Sequence, residues 1–353
     1  MRVIDHPLVS LAMLSLLFIG ISLLYHGSSY FSNQFILSQN QSLCNHSNFS
    51  TSSTEECGDA LECALAKASM GKKTVIIAVV NRAYVEQDVE SDTTMLDIFL
   101  TSFWLGEGTR SLIHHILLVA VDQVAYDRCK FLKLNCFRLE TDGVDFEAEK
   151  VYMSQDFIKM MWRRTQFLLE VLKRGYNFVF TDTDVMWLRN PFTKLSKDET
   201  EDLQISTDVY HGDPWSKKNL INTGFYFVRS NNKTISLFET WYGQKDNANG
   251  KKEQDVLFDL IRGGVIQHLE LRVRFLDTIY FSGFCQDSKD FRAVTTVHAN
   301  CCRSITAKVA DLKAVLSDWK RFRKLDNSSM ENSQWTKHDW CWKSWRTPKQ
   351  TNG

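Results

Sequence analysis

Two aspartates, Asp182 and Asp184, stand one residue apart directly after the apolar run 178–180. Alternate residues of an extended segment point the same way, so both carboxylates can face one site at the end of a strand. Carboxylates this close repel each other unless a positive charge lies between them. A hard divalent cation such as Mn2+ or Mg2+ takes oxygen ligands and bridges to substrate phosphates. The pair therefore indicates an enzyme of nucleotide phosphates, and the alternative is an ordinary polar turn.

Further polar residues stand beside other apolar runs. His298 follows the run 293–297, and a neutral imidazole is a good ligand for Mn2+. Asn222 and Thr223 precede the run 225–228, where their side chains could hydrogen-bond sugar hydroxyls. Gly224 would allow a close approach of the backbone. The alternatives are a core or surface histidine and a simple turn that leads into a strand.

Charged residues on predicted helices are the next candidates. Gln254 and Asp255 open a helical pattern, where acidic residues are also expected as caps and as partners of the helix dipole. Phosphate oxygens attract guanidinium and ammonium groups. The basic candidates are Arg163, Arg164 and Lys308, and the alternative for each is a solvated side chain on a helix surface.

Apolar runs alternate with helical patterns from about residue 72 onward. The predicted strands are 74–80, 115–121, 178–180, 203–207, 225–228, 272–276 and 293–297. The predicted helices are 93–104, 154–173, 235–242, 254–262 and 306–323. This alternation indicates an α/β protein with a parallel-type sheet that is covered on both faces. Ligands bind such sheets at the carboxyl ends of the strands, where Asp182 and Asp184 are placed.

The N-terminal part of the chain has a different composition. Residues 8–25 are an uncharged and mainly apolar run that is long enough to span a membrane as an uncleaved anchor, and the alternative is a cleaved signal peptide. Residues 27–56 are rich in Ser, Asn, Gln and Thr and indicate a flexible stem. Five acceptor sites for N-glycosylation are present, at Asn40, Asn45, Asn48, Asn232 and Asn327. Together these features predict a type II membrane protein whose globular part is lumenal.

Composition excludes several classes. The chain of 353 residues has 42 basic and 42 acidic side chains, so bulk charge gives no reason to expect nucleic-acid binding. Neither a Walker loop nor a Gly-x-Gly-x-x-Gly or Gly-x-Ser-x-Gly motif is present. The nine cysteines lack paired Cys-x-x-Cys motifs, which argues against zinc. Cys57 with Cys63 and Cys129 with Cys136 are local candidates for disulfides, which a lumenal compartment favours.

Four segments, 175–188, 222–225, 253–255 and 298–300, together resemble the plant nucleotide-diphospho-sugar transferase domain proteins of glycosyltransferase family 77. The resemblance covers roughly residues 72–325. It implies a Rossmann-like fold of the GT-A type and a retaining, metal-dependent hexosyl- or pentosyltransferase. The organisation expected is a cytosolic tail over 1–7, a transmembrane anchor over 8–25, a stem over 26–71 and a catalytic domain over 72–353.

The resemblance also implies roles for residues. Asp182, Asp184 and His298 match the ligands of Mn2+ or Mg2+, and Asp255 matches an acidic position near the donor sugar. Asp182, Asp184 and Asp255 are therefore the predicted catalytic residues. The predicted donor-binding residues are Val80, Asn81, Arg163, Arg164, Asn222, Thr223, Gly224, Gln254 and Lys308. The distant segments must converge, because one metal–nucleotide complex is only a few ångströms across.

The substrates expected from the resemblance are a UDP-sugar, with a pentose or galactose to be transferred, and a cell-wall polysaccharide or glycoprotein acceptor in the Golgi lumen. Two alternatives stay open. The first is a lumenal, non-catalytic glycan-binding or scaffold protein on a transferase fold. The second is a HAD-type phosphatase, whose Asp-x-Asp motif supplies a nucleophile and an acid/base, although Met186 stands where that motif prefers Thr or Val.

Overall fold

The computed structural model describes residues 58–86, 93–141, 153–325 and 333–346. The predicted anchor, most of the predicted stem, Cys57 and four of the five glycosylation sites lie outside these ranges; Asn232 lies inside them. Within the described ranges, the structure contains no helix that combines the length and the apolar character needed to cross a membrane.

Ten strands occur in the described part of the chain. In chain order they are β1 Thr74–Val80, β2 Ile116–Ala120, β3 Asn135–Arg138, β4 Asn177–Thr181, β5 Val185–Trp187, β6 Leu203–Val209, β7 Leu220–Val228, β8 Val273–Phe275, β9 Phe281–Gly283 and β10 Thr296–His298. The helices are α1 Ala60–Ala68, α2 Arg82–Val85, α3 Met95–Leu105, α4 Gln123–Phe131, α5 Gln155–Lys173, α6 Asn232–Gly243, α7 Glu253–Arg262, α8 Val265–His268, α9 Ile305–Phe322 and α10 Asp339–Ser344.

The strands form two sheets. The larger has the order β3-β2-β1-β4-β7-β6-β8, and the smaller has the order β5-β10-β9. Strands β3, β2, β1 and β4 are mutually parallel, whereas β7 runs antiparallel to both β4 and β6. A mixed α/β fold with a central sheet is thus confirmed. The predicted parallel-type sheet holds for β3, β2, β1 and β4 and is wrong at β7, because alternation of strands and helices does not reveal the direction of each strand.

Apolar side chains cover both faces of the large sheet, as the sequence predicted. Ile76 and Ala78 of β1 face a cluster that includes residues of α3 and α9 and the buried Trp187. Val75 and Ile77, their neighbours in the same strand, face a second cluster with residues of α1, α5, α6 and α7. Successive side chains of a strand point to opposite faces, so a strand buried on both sides is apolar throughout.

Two helices that carry site residues begin where a serine side chain accepts from a backbone N–H of the first turn. Ser154 caps α5 by accepting from the N–H of Phe157 at 3.2 Å, and Ser304 caps α9 by accepting from the N–H of Ala307 at 3.3 Å. The first turn of a helix has N–H groups with no partner in the helix, and such caps satisfy one of them. These caps fix the starts of the two helices that carry Arg164 and Lys308.

Helix α1 lies inside the segment 26–71 that was predicted as stem. Its side chains Leu61, Leu65 and Ala68 are buried, and they belong to the cluster on one face of the large sheet. The packed domain therefore begins before residue 72, which corrects the predicted boundary. The apolar positions 61, 65 and 68 have helical spacing, but they stand close to a polar region that masks the pattern.

We expect Leu65→Ala to destabilise the full-length chain by about 2–5 kcal/mol, because Leu65 is fully buried and its removal leaves a cavity. The measurement is urea-induced unfolding. Lys67→Ala, at an exposed position of the same helix, is the matched control and should change stability by less than about 0.5 kcal/mol. Equal, small effects of the two substitutions would mean that α1 is a linker and not part of the packed domain.

Candidate active site

A cleft lies at the carboxyl ends of β1 and β4. Most of the residues that the sequence singled out line it, although the segments that carry them are far apart in the chain. These residues are Val80, Asn81, Arg164, Asp182, Asp184, Asn222, Thr223, Gly224, Gln254, His298 and Lys308.

The antiparallel strand β7 brings one group of polar residues to the aspartates. The sequence predicted a turn at residues 222–224, before the strand. The structure instead places Asn222, Thr223 and Gly224 within β7. Because β7 runs opposite to β4, its first half lies beside the end of β4. The N–H of Asp182 donates to the carbonyl oxygen of Gly224 at 2.7 Å, so the strand pairing continues into the site.

A second strand pairing, between β5 and β10, brings His298 next to Asp184. Strand β5 follows Asp184 directly and runs antiparallel to β10, with Val185 opposite His298. The N–H of Ala299 donates to the carbonyl oxygen of Asp184 at 3.0 Å. Nε2 of His298 consequently lies 3.2 Å from Oδ1 of Asp184. The sequence did not predict β5, which has only three residues, yet this strand accounts for the contact that the proposed metal site requires.

The donor atoms of this triad suit a divalent cation. One ligand atom each from Asp182, Asp184 and His298 lies within 4.8 Å of the others. Two carboxylate oxygens and one imidazole nitrogen match the ligand preferences of Mn2+. Gly224 is packed against the triad, since a Cβ atom there would lie 2.3 Å from Cε1 of His298 and 2.9 Å from Oδ2 of Asp182. The residues present therefore fit the metal that the family resemblance implies.

Arg164 neutralises one side of the aspartate pair. Its guanidinium donates to Oδ1 of Asp182 at 2.9 Å and to Oε1 of Glu253 at 2.6 Å, and its side chain is almost fully buried. Burial raises the pKa of Asp182 above its usual value, although Arg164 acts in the opposite direction. Arg164 thus holds two carboxylates, from β4 and α7, in one arrangement.

Lys308 and His298 neutralise the other side. Nζ of Lys308 lies 2.8 Å from Oδ2 of Asp184, which is itself buried. Burial acts to raise the pKa of Asp184, but Lys308 and His298 outweigh it and hold that pKa below its usual value. Burial acts to lower the pKa of Lys308, and Asp184 outweighs it in turn, so the pKa of the lysine is raised. The two shifts favour an anionic Asp184 beside a cationic Lys308.

Two predicted site residues do not line the cleft. Arg163 donates from Nε to the carbonyl oxygen of Glu140 at 3.0 Å, on a different side of α5 from Arg164. Asp255 is partly exposed, whereas Glu253 and Gln254 line the cleft. Successive residues of a helix point about 100° apart, so a one-residue error in phase turns a side chain away from the site. The predictions for Arg163 and Asp255 are corrected accordingly.

The structure adds a role for Glu253, which entered the sequence prediction only as part of the segment 253–255, and it adds Asp208, which the sequence did not single out. Oε1 of Glu253 accepts from Oγ1 of Thr223 at 2.9 Å as well as from Arg164. Asp208, at the end of β6, lines the cleft and accepts from the amide groups of Asn222 and Asn300 at 2.8 and 2.7 Å. Its position directly after the predicted strand 203–207 was a signal that could have found it, since Asp182 also closely follows a predicted strand.

Residues 111–312 match the model of a family described as nucleotide-diphospho-sugar transferase. An uncharacterised protein of Arabidopsis thaliana is 57% identical over 81% of this chain and 84% of its own length. A second uncharacterised protein of that plant is 38% identical over 80% of this chain and 73% of its own length. A β-arabinofuranosyltransferase of Arabidopsis thaliana is 25% identical over 58% of this chain and 36% of its own length.

Gly224→Ala should weaken Mn2+ binding by about 10–100-fold, because the new Cβ would displace His298 or Asp182 from its partner. The measurement is calorimetric titration of the full-length chain with MnCl2. Gly243→Ala is the matched control, because that glycine ends α6 and a Cβ there meets nothing within 4 Å. Unchanged affinity in the Gly224 variant would show that the triad does not hold the ion.

Proposed function

This chain belongs to the nucleotide-diphospho-sugar transferase family, and from that premise we propose that it transfers a sugar from a UDP-sugar to a cell-wall glycan with the help of Mn2+ or Mg2+. One observation carries the proposal. Two aspartates and a histidine from separate segments converge at the end of the sheet, with their ligand atoms within 4.8 Å. Open α/β sheets bind their ligands at this edge.

The proposed roles of the residues follow from their contacts. Asp182, Asp184 and His298 would hold the metal, which when bound supplies a Lewis acid for the leaving diphosphate. Lys308 lies beside Asp184 and is placed to contact a phosphate oxygen. Arg164 keeps Asp182 and Glu253 in position through charged hydrogen bonds. Each of these groups is fixed before the donor binds, as electrostatic stabilisation requires.

The donor sugar would meet the polar groups on β7 and α7. Asn222 and Gln254 line the cleft, and Gln254 accepts from the N–H of Thr223 at 3.1 Å. Side-chain amides fixed by such hydrogen bonds can distinguish the hydroxyl groups of a sugar. We propose a pentose or galactose as the transferred sugar and retention of its anomeric configuration. The relative named as an arabinofuranosyltransferase supports a pentose.

We propose that the acceptor is a cell-wall polysaccharide or glycoprotein and that the protein is a type II membrane protein with its catalytic domain in the Golgi lumen. The apolar run 8–25 and the clustered glycosylation sites support this placement. Three disulfides within the described ranges support it too, since disulfides persist in oxidising compartments. They are Cys129–Cys136, which was predicted, Cys285–Cys301 and Cys302–Cys341.

Activity should depend on the metal and on Asp184. We expect the full-length chain to release UDP from UDP-arabinofuranose, UDP-xylose or UDP-galactose in the presence of MnCl2. EDTA and Asp184→Asn should each lower that rate by at least about 100-fold, since both remove charge stabilisation of the leaving group. Asp246→Asn is the control, because the Asp246 side chain is 81% exposed and lies outside the cleft.

Other products would point to the alternatives. Release of inorganic phosphate without sugar transfer would favour a phosphatase. Absence of both UDP release and Mn2+-dependent UDP binding would favour a non-catalytic glycan-binding protein.

The proposed topology has its own test. Tagged full-length protein should stay with the membrane fraction during carbonate extraction, because the run 8–25 is long enough to span the hydrocarbon core. Its electrophoretic mobility should increase after endoglycosidase treatment, and Asn232→Gln should remove part of that shift. A protein that is extracted by carbonate and is insensitive to the glycosidase would contradict the topology.

A further inference from the structure

We propose that Arg303, held against the ring of Trp345, binds the diphosphate of the nucleotide sugar, so that the C-terminal segment forms part of the donor site. This inference rests on the proposed function, because it assumes a nucleoside-diphosphate ligand. Neither residue stood among the predicted site residues, and both line the cleft that contains Asp184 and His298.

Arg303 follows the triad residue His298 closely in the chain and lines the same cleft. It lies on the connection from β10 to α9, between His298 and Lys308. The residue Cys301 has a positive φ of 53°, so the chain turns sharply just before Arg303. A side chain between a metal ligand and a lysine that contacts Asp184 lies within reach of the phosphates that the metal would bind.

Several contacts fix this connection to the C-terminal helix α10. The N–H of Arg303 donates to Oγ of Ser344 at 3.0 Å. The indole N–H of Trp345 donates to the carbonyl oxygen of Cys301 at 2.6 Å. Two adjacent cysteines anchor the same stretch in two directions, through the disulfides Cys285–Cys301 and Cys302–Cys341. The ring of Trp345 is therefore held in place although the side chain is 44% exposed.

The guanidinium of Arg303 lies over this ring, 3.8 Å from its centroid. Stacking of this kind holds the planar group in one orientation, and its remaining edge can donate two parallel hydrogen bonds to a phosphate. Ordering a long side chain in advance lowers the entropy that is lost on binding. Arg303 is exposed, but its side chain is restrained by the ring. It is therefore better suited to ligand binding than an exposed arginine that moves freely.

Arg303 differs from two other cations of the cleft, because those two are paired with carboxylates. Arg164 is paired with Asp182 and Glu253, and Lys308 is paired with Asp184. Arg303, by contrast, forms no salt bridge with any residue in the described ranges. A diphosphate brings negative charge into a cleft where Arg164 and Lys308 already have carboxylate partners, and Arg303 is placed to offset it.

The test compares UDP with uridine, which lacks the phosphates. We expect Arg303→Ala to weaken Mn2+-dependent binding of UDP to the full-length chain by about tenfold, as loss of a charged hydrogen bond predicts. Binding of uridine should be unchanged. Arg303→Lys keeps the charge without the planar fork and should recover only part of the affinity. Trp345→Leu, which removes the ring, should weaken UDP binding in the same direction but by less.

Arg110→Ala is the matched control. Arg110 also lies over an exposed tryptophan, Trp104, at 5.4 Å from the ring centroid, but neither residue lines the cleft. Its UDP affinity should equal that of the wild type. Equal UDP affinities of wild type and Arg303→Ala would overturn the inference, and so would an equal loss of UDP and uridine binding, since the contact would then not involve phosphate. A wild-type chain that binds no UDP with Mn2+ would overturn the proposed function itself.

Discussion

The close approach of two carboxylates, Asp182 and Asp184, is the constraint on which the arrangement of this protein depends. Both follow directly after β4, where Asp184 is buried and Asp182 is partly exposed, and like charges this close repel each other. The fold offsets that repulsion with cations from opposite sides, Arg164 from α5 and Lys308 from α9. His298 from β10 completes the surroundings of Asp184. Four elements, α5 and β4 from one stretch of the chain and β10 and α9 from another, are therefore tied to one pair of charges.

The same constraint explains why small features of the fold matter. The three-residue strand β5 fixes the distance between Asp184 and His298, because its pairing with β10 begins at the residue after Asp184. Gly224 is needed beside them, since any side chain would enter the space between His298 and Asp182. In the same cleft, two disulfides anchor the connection from β10 to α9. The second of these also ties α10 to that connection, and Trp345, directly after α10, lines the cleft.

Much of the fold could be predicted from the sequence. Strand β1 has the predicted bounds, 74–80, because a strand that is buried on both faces is apolar from end to end. The long helix α5 begins within one residue of its predicted start, since Ser154 is a typical cap. The short strands β3, β5 and β9 and the direction of β7 could not be predicted, because they depend on pairing with partners far away in the chain.

For the site, the sequence by itself determined which chemistry is present: two carboxylates one residue apart, a histidine after an apolar run, and small polar residues beside a strand. Only the tertiary structure decided which neighbours take part. Arg164 reaches Asp182 while Arg163 contacts Glu140, and Gln254 lines the cleft while Asp255 does not. Composition and spacing fix the kinds of side chain, but helical phase and strand direction fix where each one points, and these are set by packing between distant segments.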